Sequence, residues 1–389
     1  MKNKIKSLII CTILSLILVG CGAKSSDDII VSLDNKLKKA DSYFVTGVME
    51  IINNEDTYTY DVSISYKKDN YYKINLVNTL NNHEQVILRN DDGVYVVTPS
   101  LNKSFKFQSD WPYNNSQVYL LGSIINDLKN DNNRSFSSIK NGYILKSLVN
   151  YPNNKSLAKQ NVYVNNNNNV YKVEVTDKNN KVQISMKFDK IKFNKKFDEE
   201  YFELSNLISF NNKGNSKNNN DINNNSNADN TNDTSSNNND TNNNTNDTSS
   251  NNNDTNNNTN DDNISNNKEK NTRETATIDD VIYPMYLPNN TALANKEVVK
   301  TDKGQRLILT FDGDKPFTLV EEVASYYEGG VIVPVSGNLD FLTDVIGVIN
   351  DNSLTWESNG IEYYLVSDTI ETSELIEIAQ SINVLPVSK

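Results

Sequence analysis

Few residues of this 389-residue chain could carry covalent or metal chemistry, and their spacing narrows the choice further. The chain has two cysteines, Cys11 and Cys21, and a single histidine, His83, so a multi-histidine metal site is ruled out. His83 lies in Asn81-Asn82-His83-Glu84, a polar context that predicts a solvated loop residue rather than a catalytic base. Asp312 and Asp314 flank Gly313, but the Asp-x-Asp-x-Asp-Gly order with a distal glutamate, which a calcium loop uses, is missing; a turn is expected. The carboxylate pairs Asp279/Asp280 and Glu321/Glu322 are adjacent, so on a strand their side chains point to opposite faces and cannot share a site. No Gly-x-Ser-x-Gly, His-Glu-x-x-His or phosphate-cradling glycine loop occurs. These residues predict no enzyme, no cofactor and no metal.

Cys21 is a different matter. Lys2, Lys4 and Lys6 precede an apolar run from Leu8 to Val19, and a small residue, Gly20, precedes the cysteine. That is the layout of a secretory signal. The run is also shorter than the ~20 residues a membrane-spanning helix needs. The tetrad Leu18-Val19-Gly20-Cys21 resembles the lipobox of bacterial lipoproteins. The resemblance implies that residues 1–20 are a removable signal peptide and that Cys21 is acylated, palmitate included. It also implies a mature chain anchored by lipid on the extracytoplasmic face of the cell membrane. Cys11 then leaves with the signal and Cys21 carries lipid, so no thiol remains for catalysis, zinc or a disulfide.

The net charge of −12 is unevenly spread. Residues 21–210 carry 24 basic and 22 acidic side chains, whereas residues 274–389 carry 6 and 19. An excess of that sign is repelled by phosphodiester backbones and anionic lipid heads, which excludes nucleic acid as a partner. A solvated acidic surface or a basic protein partner accounts for it.

Residues 211–273 are nearly all Asn, Asp, Thr and Ser, and the block Asn237–Ser250 begins to repeat at Asn251. With almost nothing apolar to bury, such a segment cannot offset its ordering entropy and is expected to be a disordered linker. As a flexible coil it would span roughly 40–45 Å. This leaves an N-terminal domain, 21–210, and a C-terminal domain, 274–389, each long enough for its own core.

In the first domain, Ile29, Leu33 and Leu37 recur at helical spacing behind Asp27 and Asp28. After Asp41 the period becomes two. Tyr58, Tyr60, Val62, Ile64 and Tyr66 share one face of an antiparallel strand, and Tyr72, Ile74 and Leu76 repeat the pattern. Residues 85–88 and 94–97 flank Asn90-Asp91-Asp92-Gly93, a hairpin connection. Val118, Leu121, Ile125 and Leu128 make the stripe of a second helix, capped by Ser116 or Asn115. Further strands are expected at 143–148, 159–164, 170–176 and 182–193. In the last, Phe188 and Ile191 have opposite parity, which predicts a bulge near Asp189-Lys190. The lysines 187, 190, 192, 195 and 196 suggest a solvated sheet edge or a strip for an acidic partner.

In the second domain, hairpins are expected around Asp302-Lys303-Gly304 and Asn359-Gly360, a strand at 317–323, and a closing helix from Thr372 or Ser373. The whole is therefore α+β. An N-terminal curved antiparallel sheet, a half-barrel with helices in its concavity, is followed by the linker and a small C-terminal α+β domain.

The order of elements in 21–210 looks like the LolA/LolB lipoprotein-carrier fold. Asp110-Trp111-Pro112-Tyr113-Asn114, Ser116 to Leu121 and the closing Phe197 to Phe202 resemble the GerS-type sporulation and germination lipoproteins. Tyr283–Phe317 looks like the C-terminal module of RseB/MucB-type envelope regulators or a domain of unknown function. The GerS resemblance implies a non-enzymatic support factor of the envelope or the spore intermembrane space, with a peptidoglycan amidase as partner. The LolA/LolB resemblance implies a lipid or lipoprotein acceptor, and the third an envelope-stress regulator of an anti-sigma factor. The expected pocket or partner surface is Tyr60, Val62, Ile64, Tyr72, Ile74, Trp111, Tyr119, Leu121 and Ile125. A lipid ligand requires them to line a continuous apolar cavity of some hundreds of Å³. Exposed sheet edges leave homodimerisation open.

Overall fold

The computed structural model describes residues 24–53, 56–210, 278, 281–302, 304–342 and 344–382. The expected signal peptide 1–20, the expected acylation site Cys21 and the expected linker 211–273 lie outside the described residues. Among those described, no helix is long and apolar enough to cross a membrane.

Helix α1 (Ser26–Lys39) starts with a capping box. The Asp28 amide donates to Ser25 Oγ at 3.1 Å and the Ser25 amide to Asp28 Oδ2 at 2.9 Å. Asp27 and Asp28 occupy its first turn and Lys36, Lys38 and Lys39 its last, matching the helix dipole.

Eleven strands follow in the N-terminal part: β1 (Ser42–Asn53), β2 (Asp56–Lys67), β3 (Tyr71–Asn78), β4 (Glu84–Asn90), β5 (Gly93–Thr98), β6 (Lys103–Phe107), β7 (Ser135–Ile139), β8 (Gly142–Leu148), β9 (Lys159–Asn165), β10 (Val170–Thr176) and β11 (Val182–Phe193). They pair antiparallel in the order β6-β5-β4-β3-β2-β1-β11-β10-β9-β8-β7, an open curved sheet with its ends apart. Helix α2 (Leu121–Asn130) lies between β6 and β7 in sequence. Both helices cover one face of the sheet. Ile29, Ile30 and Leu33 of α1 and Leu121, Ile124, Ile125 and Leu128 of α2 join Val62, Ile64, Ile74 and Val173 in a single core.

The parity change in β11 is a bulge, as its sequence requires. Thr46 pairs with Lys190 but Gly47 pairs with Phe188, leaving Asp189 as the extra residue. Gly47 permits the close approach there, since a Cβ at that position would sit 2.1 Å from the Lys187 carbonyl oxygen.

The opposite face is not simply solvated. Residues 197–208 fold back across it, and Phe202 and Ile208 bury Val86, Leu88, Tyr95 and Val97. Ser65, on the polar side of β2, is buried beneath this segment with its hydroxyl 3.0 Å from Tyr201 OH.

Three details depart from the sequence expectation. Helix α2 begins at Leu121 rather than just after Ser116, because Ser116 is drawn into a pairing with Asn150 and the Gln117 amide is taken by Ser123 Oγ at 2.8 Å. Strand β11 is interior to the sheet, between β1 and β10, so its lysines do not mark an outer edge; only its last residues, past Lys187, extend beyond the β10 pairing. His83 is not solvated: its side chain is 12% exposed.

The C-terminal part contributes β12 (Thr291–Thr301), β13 (Gly304–Gly313), β14 (Phe317–Val323), β15 (Val331–Val335), β16 (Asn338–Phe341), β17 (Ile346–Ile349), β18 (Ser353–Ser358), β19 (Ile361–Val366) and helix α3 (Thr372–Gln380). Seven of these strands form an antiparallel sheet in the order β12-β13-β14-β19-β18-β17-β16. The turn between β18 and β19 places Asn359 and Gly360 at φ 51° and 79°, the left-handed region an Asn-Gly hairpin uses. Helix α3 covers a second core with Leu309, Leu319, Trp356 and Leu365. Glu321 is fully buried on that side of β14, while its neighbour Glu322 pairs with Arg306 at 2.8 Å on the other, as strand alternation demands.

Strand β15 leaves this sheet. It pairs parallel with β6, Val331–Val335 against Lys103–Phe107, and so becomes the twelfth strand of the N-terminal sheet. Leu339, Ile346 and Val348 enter the N-terminal core, whereas Leu342, Val345 and Ile349 enter the C-terminal one. The described residues before 212 and after 274 thus form one compact unit.

Candidate functional site

The nine residues expected to form a pocket or partner surface do come together, but as packing. Tyr60, Val62, Ile64, Tyr72, Ile74, Trp111, Tyr119, Leu121 and Ile125 are all buried in the N-terminal core. Their side chains fill the concavity. The apolar space left beside Met49, Ile51 and Tyr119 is about 10 Å³, no more than one water's worth. A continuous apolar cavity of the size a lipid needs is not found at these residues.

Of the nine, Tyr72 lines a sizeable cavity. This cavity, about 420 Å³, lies between α2 and the loop that precedes it. Its walls are Tyr72 from β3, Tyr113 and Ser116 from the loop, Ser123 and Asp127 from α2, and Asn150 after β8.

The loop is fastened from several sides. Trp111 is fully buried, packed edge-on to Tyr72 with ring centroids 5.6 Å apart. Its carbonyl accepts a hydrogen bond from Arg89 Nη1, and the same guanidinium lies 5.5 Å from the centroid of the Tyr113 ring. The Tyr113 hydroxyl donates to Asn70 Oδ1. Farther along, the Ser116 amide donates to the Asn150 carbonyl at 2.8 Å and the Asn150 amide to Ser116 Oγ at 2.8 Å. Tyr113 is nevertheless 63% exposed. An aromatic ring in solvent, pinned by a cation and an amide, is preorganised for contact.

Asp127 sits at the inner end of the polar wall. Burial pushes its carboxyl up to about 6, against the opposing pull of a hydrogen bond from Ser116. At neutral pH it is mostly ionised and accepts hydrogen bonds. The side chains of Ser123, Asn126, Asp127 and Asn130 follow one another at helical spacing, opposite the apolar stripe of Leu121, Ile124, Ile125 and Leu128.

A second cluster of ionisable groups lies where the two sheets meet. His83 Nε2 is 3.3 Å from Glu357 Oε2, both nearly buried, although the alignment is too poor for a hydrogen bond. Burial pushes Glu357 up to about 7 and holds His83 below its ordinary value; nearby Asp344, bonded by Ser358 Oγ, is also raised by burial. Lys103 and Glu362 form an ion pair at 2.7 Å beside it. None of these groups lines the 420 Å³ cavity, so they act as a seam between the sheets. Among the described residues, no group of three or more His, Cys, Asp or Glu side chains could hold a metal.

Tyr113 and Ser116 stand in the Trp111–Leu121 stretch of the sequence without a site role, and Arg89, Asn70, Asp127 and Asn150 carry no sequence signal of one. Nothing in local periodicity marks them, because they meet only when the loop closes over β3 and β4.

A family model described as "Sporulation protein YdcC-like" matches residues 1–202. The sporulation protein YdcC of Bacillus subtilis (strain 168) is 32% identical over 367 residues, covering 94% of this chain and 93% of that protein. Solved structures overlap loosely. The MucA/MucB complex of Pseudomonas aeruginosa covers 91% of this chain and 98% of the matched chain, with 12% identity and a TM-score of 0.30. A LolA superfamily protein from Nitrosomonas europaea covers 48% and 100%, with 13% identity and a TM-score of 0.30. The CwlD amidase of Clostridioides difficile in complex with the GerS lipoprotein covers 44% and 98%, with 18% identity and a TM-score of 0.27. Overlaps below 0.5 carry no weight for function.

Proposed function

The chain belongs to the YdcC-like family of sporulation proteins, and from that premise we propose that it is a non-enzymatic binding and support factor, held by lipid at Cys21 on the extracytoplasmic side of the membrane. The charged leader, short apolar run and Gly20-Cys21 junction support the anchor. Its partner is a protein of the cell envelope or developing spore, a peptidoglycan amidase being the kind that the GerS-type resemblance of residues 110–121 implies.

The observation that carries the reading is Tyr113, mostly in solvent yet held by Arg89 and Asn70 within that same stretch. Large aromatic anchors with little conformational freedom are what protein interfaces concentrate their energy in. His83, Glu357, Lys103 and Glu362, by contrast, lie where the two sheets join.

Affinity capture of the mature protein from sporulating cells is the test. Recovery of a cell-wall amidase with the native chain, and its loss with Tyr113→Ala, is the expected result. Unchanged spore cortex and germination in a deletion strain would overturn the role. Mass spectrometry showing an unmodified Cys21 thiol and an intact leader would overturn the anchor.

A further inference from the structure

The walls of the 420 Å³ cavity have a chemistry of their own, independent of the lipid anchor, although Tyr113 is shared with the proposed partner surface. Its volume falls in the range of small-molecule sites, roughly 300–1,000 Å³. No lysine, arginine or histidine lines it, which removes phosphates and nucleotides as ligands. Asp127 is its lone carboxylate, too little for a divalent cation, which takes six or more oxygens or several carboxylates. Its apolar wall, from Tyr72, Pro112, Leu120 and part of Tyr113, is interrupted by the amides and hydroxyls of Asn115, Ser116, Ser123 and Asn150, which an acyl chain would leave unpaired.

What remains is amide, hydroxyl and one hydrogen-bond-accepting carboxylate. Ser123, Asn126, Asp127 and Asn130 recur at i, i+3, i+4 and i+7 along α2, so the polar face of an amphipathic helix lines the cavity, with Ser123 and Asp127 half-buried and Asn126 and Asn130 open to solvent. Amides offer donors and acceptors side by side, and the carboxylate adds a strong acceptor. This is the complement of a row of hydroxyls, each of which both donates and accepts. The pinned ring of Tyr113 stands at the same cavity and supplies an aromatic surface for the C–H faces of a ring. Gly122 leaves further room, since a Cβ placed there has nothing within 4 Å.

We propose that this cavity binds a neutral saccharide, with the polar face of α2 receiving its hydroxyl or acetamido groups and Tyr113 packing against a sugar ring.

The test uses the full-length chain in a detergent without a sugar head group, titrated with tetra-N-acetylchitotetraose and with maltotetraose by calorimetry and ligand-observed NMR. Saturable binding of at least one oligosaccharide is expected. Tyr113→Ala and Asn126→Ala should each weaken it about tenfold or more, and Gly122→Trp, which fills the cavity from a position with free space, should abolish it. Near-UV circular dichroism and the melting temperature establish that each variant is folded. No saturable binding of either sugar by the native chain overturns the proposal. So does binding that survives unchanged in folded Gly122→Trp. Because the titration uses purified protein, loss of amidase capture and loss of sugar binding are read separately.

Discussion

Gln85 on β4 and Ile346 on β17, 261 residues apart, exchange two hydrogen bonds: Gln85 Nε2 donates to the Ile346 carbonyl at 3.1 Å and the Ile346 amide donates to Gln85 Oε1 at 2.6 Å. The side-chain amide stands in for a missing strand, satisfying both backbone groups of Ile346 inside the protein. Beside it, Asn102 Nδ2 donates to the Tyr327 carbonyl at 2.7 Å, and β15 completes the edge of the N-terminal sheet. The C-terminal segment is therefore built into the N-terminal fold.

Cutting the chain within residues 212–274 should accordingly leave the two pieces together. A protease site inserted there is expected to give fragments that co-elute in gel filtration and melt in one transition. Gln85→Ala, which strands the Ile346 amide and carbonyl, should lower stability by about 2–4 kcal/mol and let the cleaved pieces separate more readily. Separation of the native fragments at micromolar concentration would contradict the shared sheet.

Stability should fall as pH rises from about 4.5 to just above 7, the interval between the unfolded and folded values of the raised carboxyls. Burial raises Glu321 and Glu357 to about 7 and Asp340 to about 6. A carboxyl raised in the folded state binds its proton more tightly there, so its stabilising contribution is complete below the unfolded value and is lost as pH rises through the folded one. His83, lowered by burial, acts in the opposite sense, its contribution growing as pH rises toward 6.5. Glu321→Gln should raise the melting temperature at pH 8, by the equivalent of about 2–3 kcal/mol, and change little at pH 5. Urea melts at the two pH values measure the difference.

Gly122→Ala should be a gain. The residue is exposed on the first turn of α2 with open space around its Cβ, so replacing it recovers roughly 0.5–1 kcal/mol of helix propensity. Thermal unfolding reads the shift, and sugar binding should survive this small addition.

Two losses are expected elsewhere. Ser25→Ala removes the capping box of α1 and should cost about 1 kcal/mol. Trp111→Ala empties a fully buried site under the loop and should cost about 3–5 kcal/mol. Chemical denaturation with tyrosine and residual tryptophan fluorescence distinguishes the two, since only the second should also free Tyr113 and abolish binding at the cavity.

Much of the fold was legible along the chain. The alternation Tyr60, Val62, Ile64 foretold β2 and its buried face, the parity change after Phe188 foretold the bulge at Asp189, and Asn359-Gly360 foretold the last hairpin. The stripe from Leu121 to Leu128 foretold a helix and its inward side. These features answer to constraints among residues a few positions apart, chiefly strand and helix periodicity and the left-handed turn that Asn-Gly tolerates.

The chemistry of the surfaces was not legible in the same way. His83 reads as a loop residue in water, yet the hairpin bearing Glu357 covers it. The apolar stripe of α2 shows in the sequence, but nothing there marks Ser123 and Asp127 as lining a cavity bounded by the loop from Trp111 to Ser116. Val331–Val335 carries no strand expectation along the chain, yet it pairs parallel with Lys103–Phe107 at the edge of the N-terminal sheet. Periodicity establishes which side of an element is polar or apolar; what stands opposite that side depends on chain segments brought there by tertiary folding.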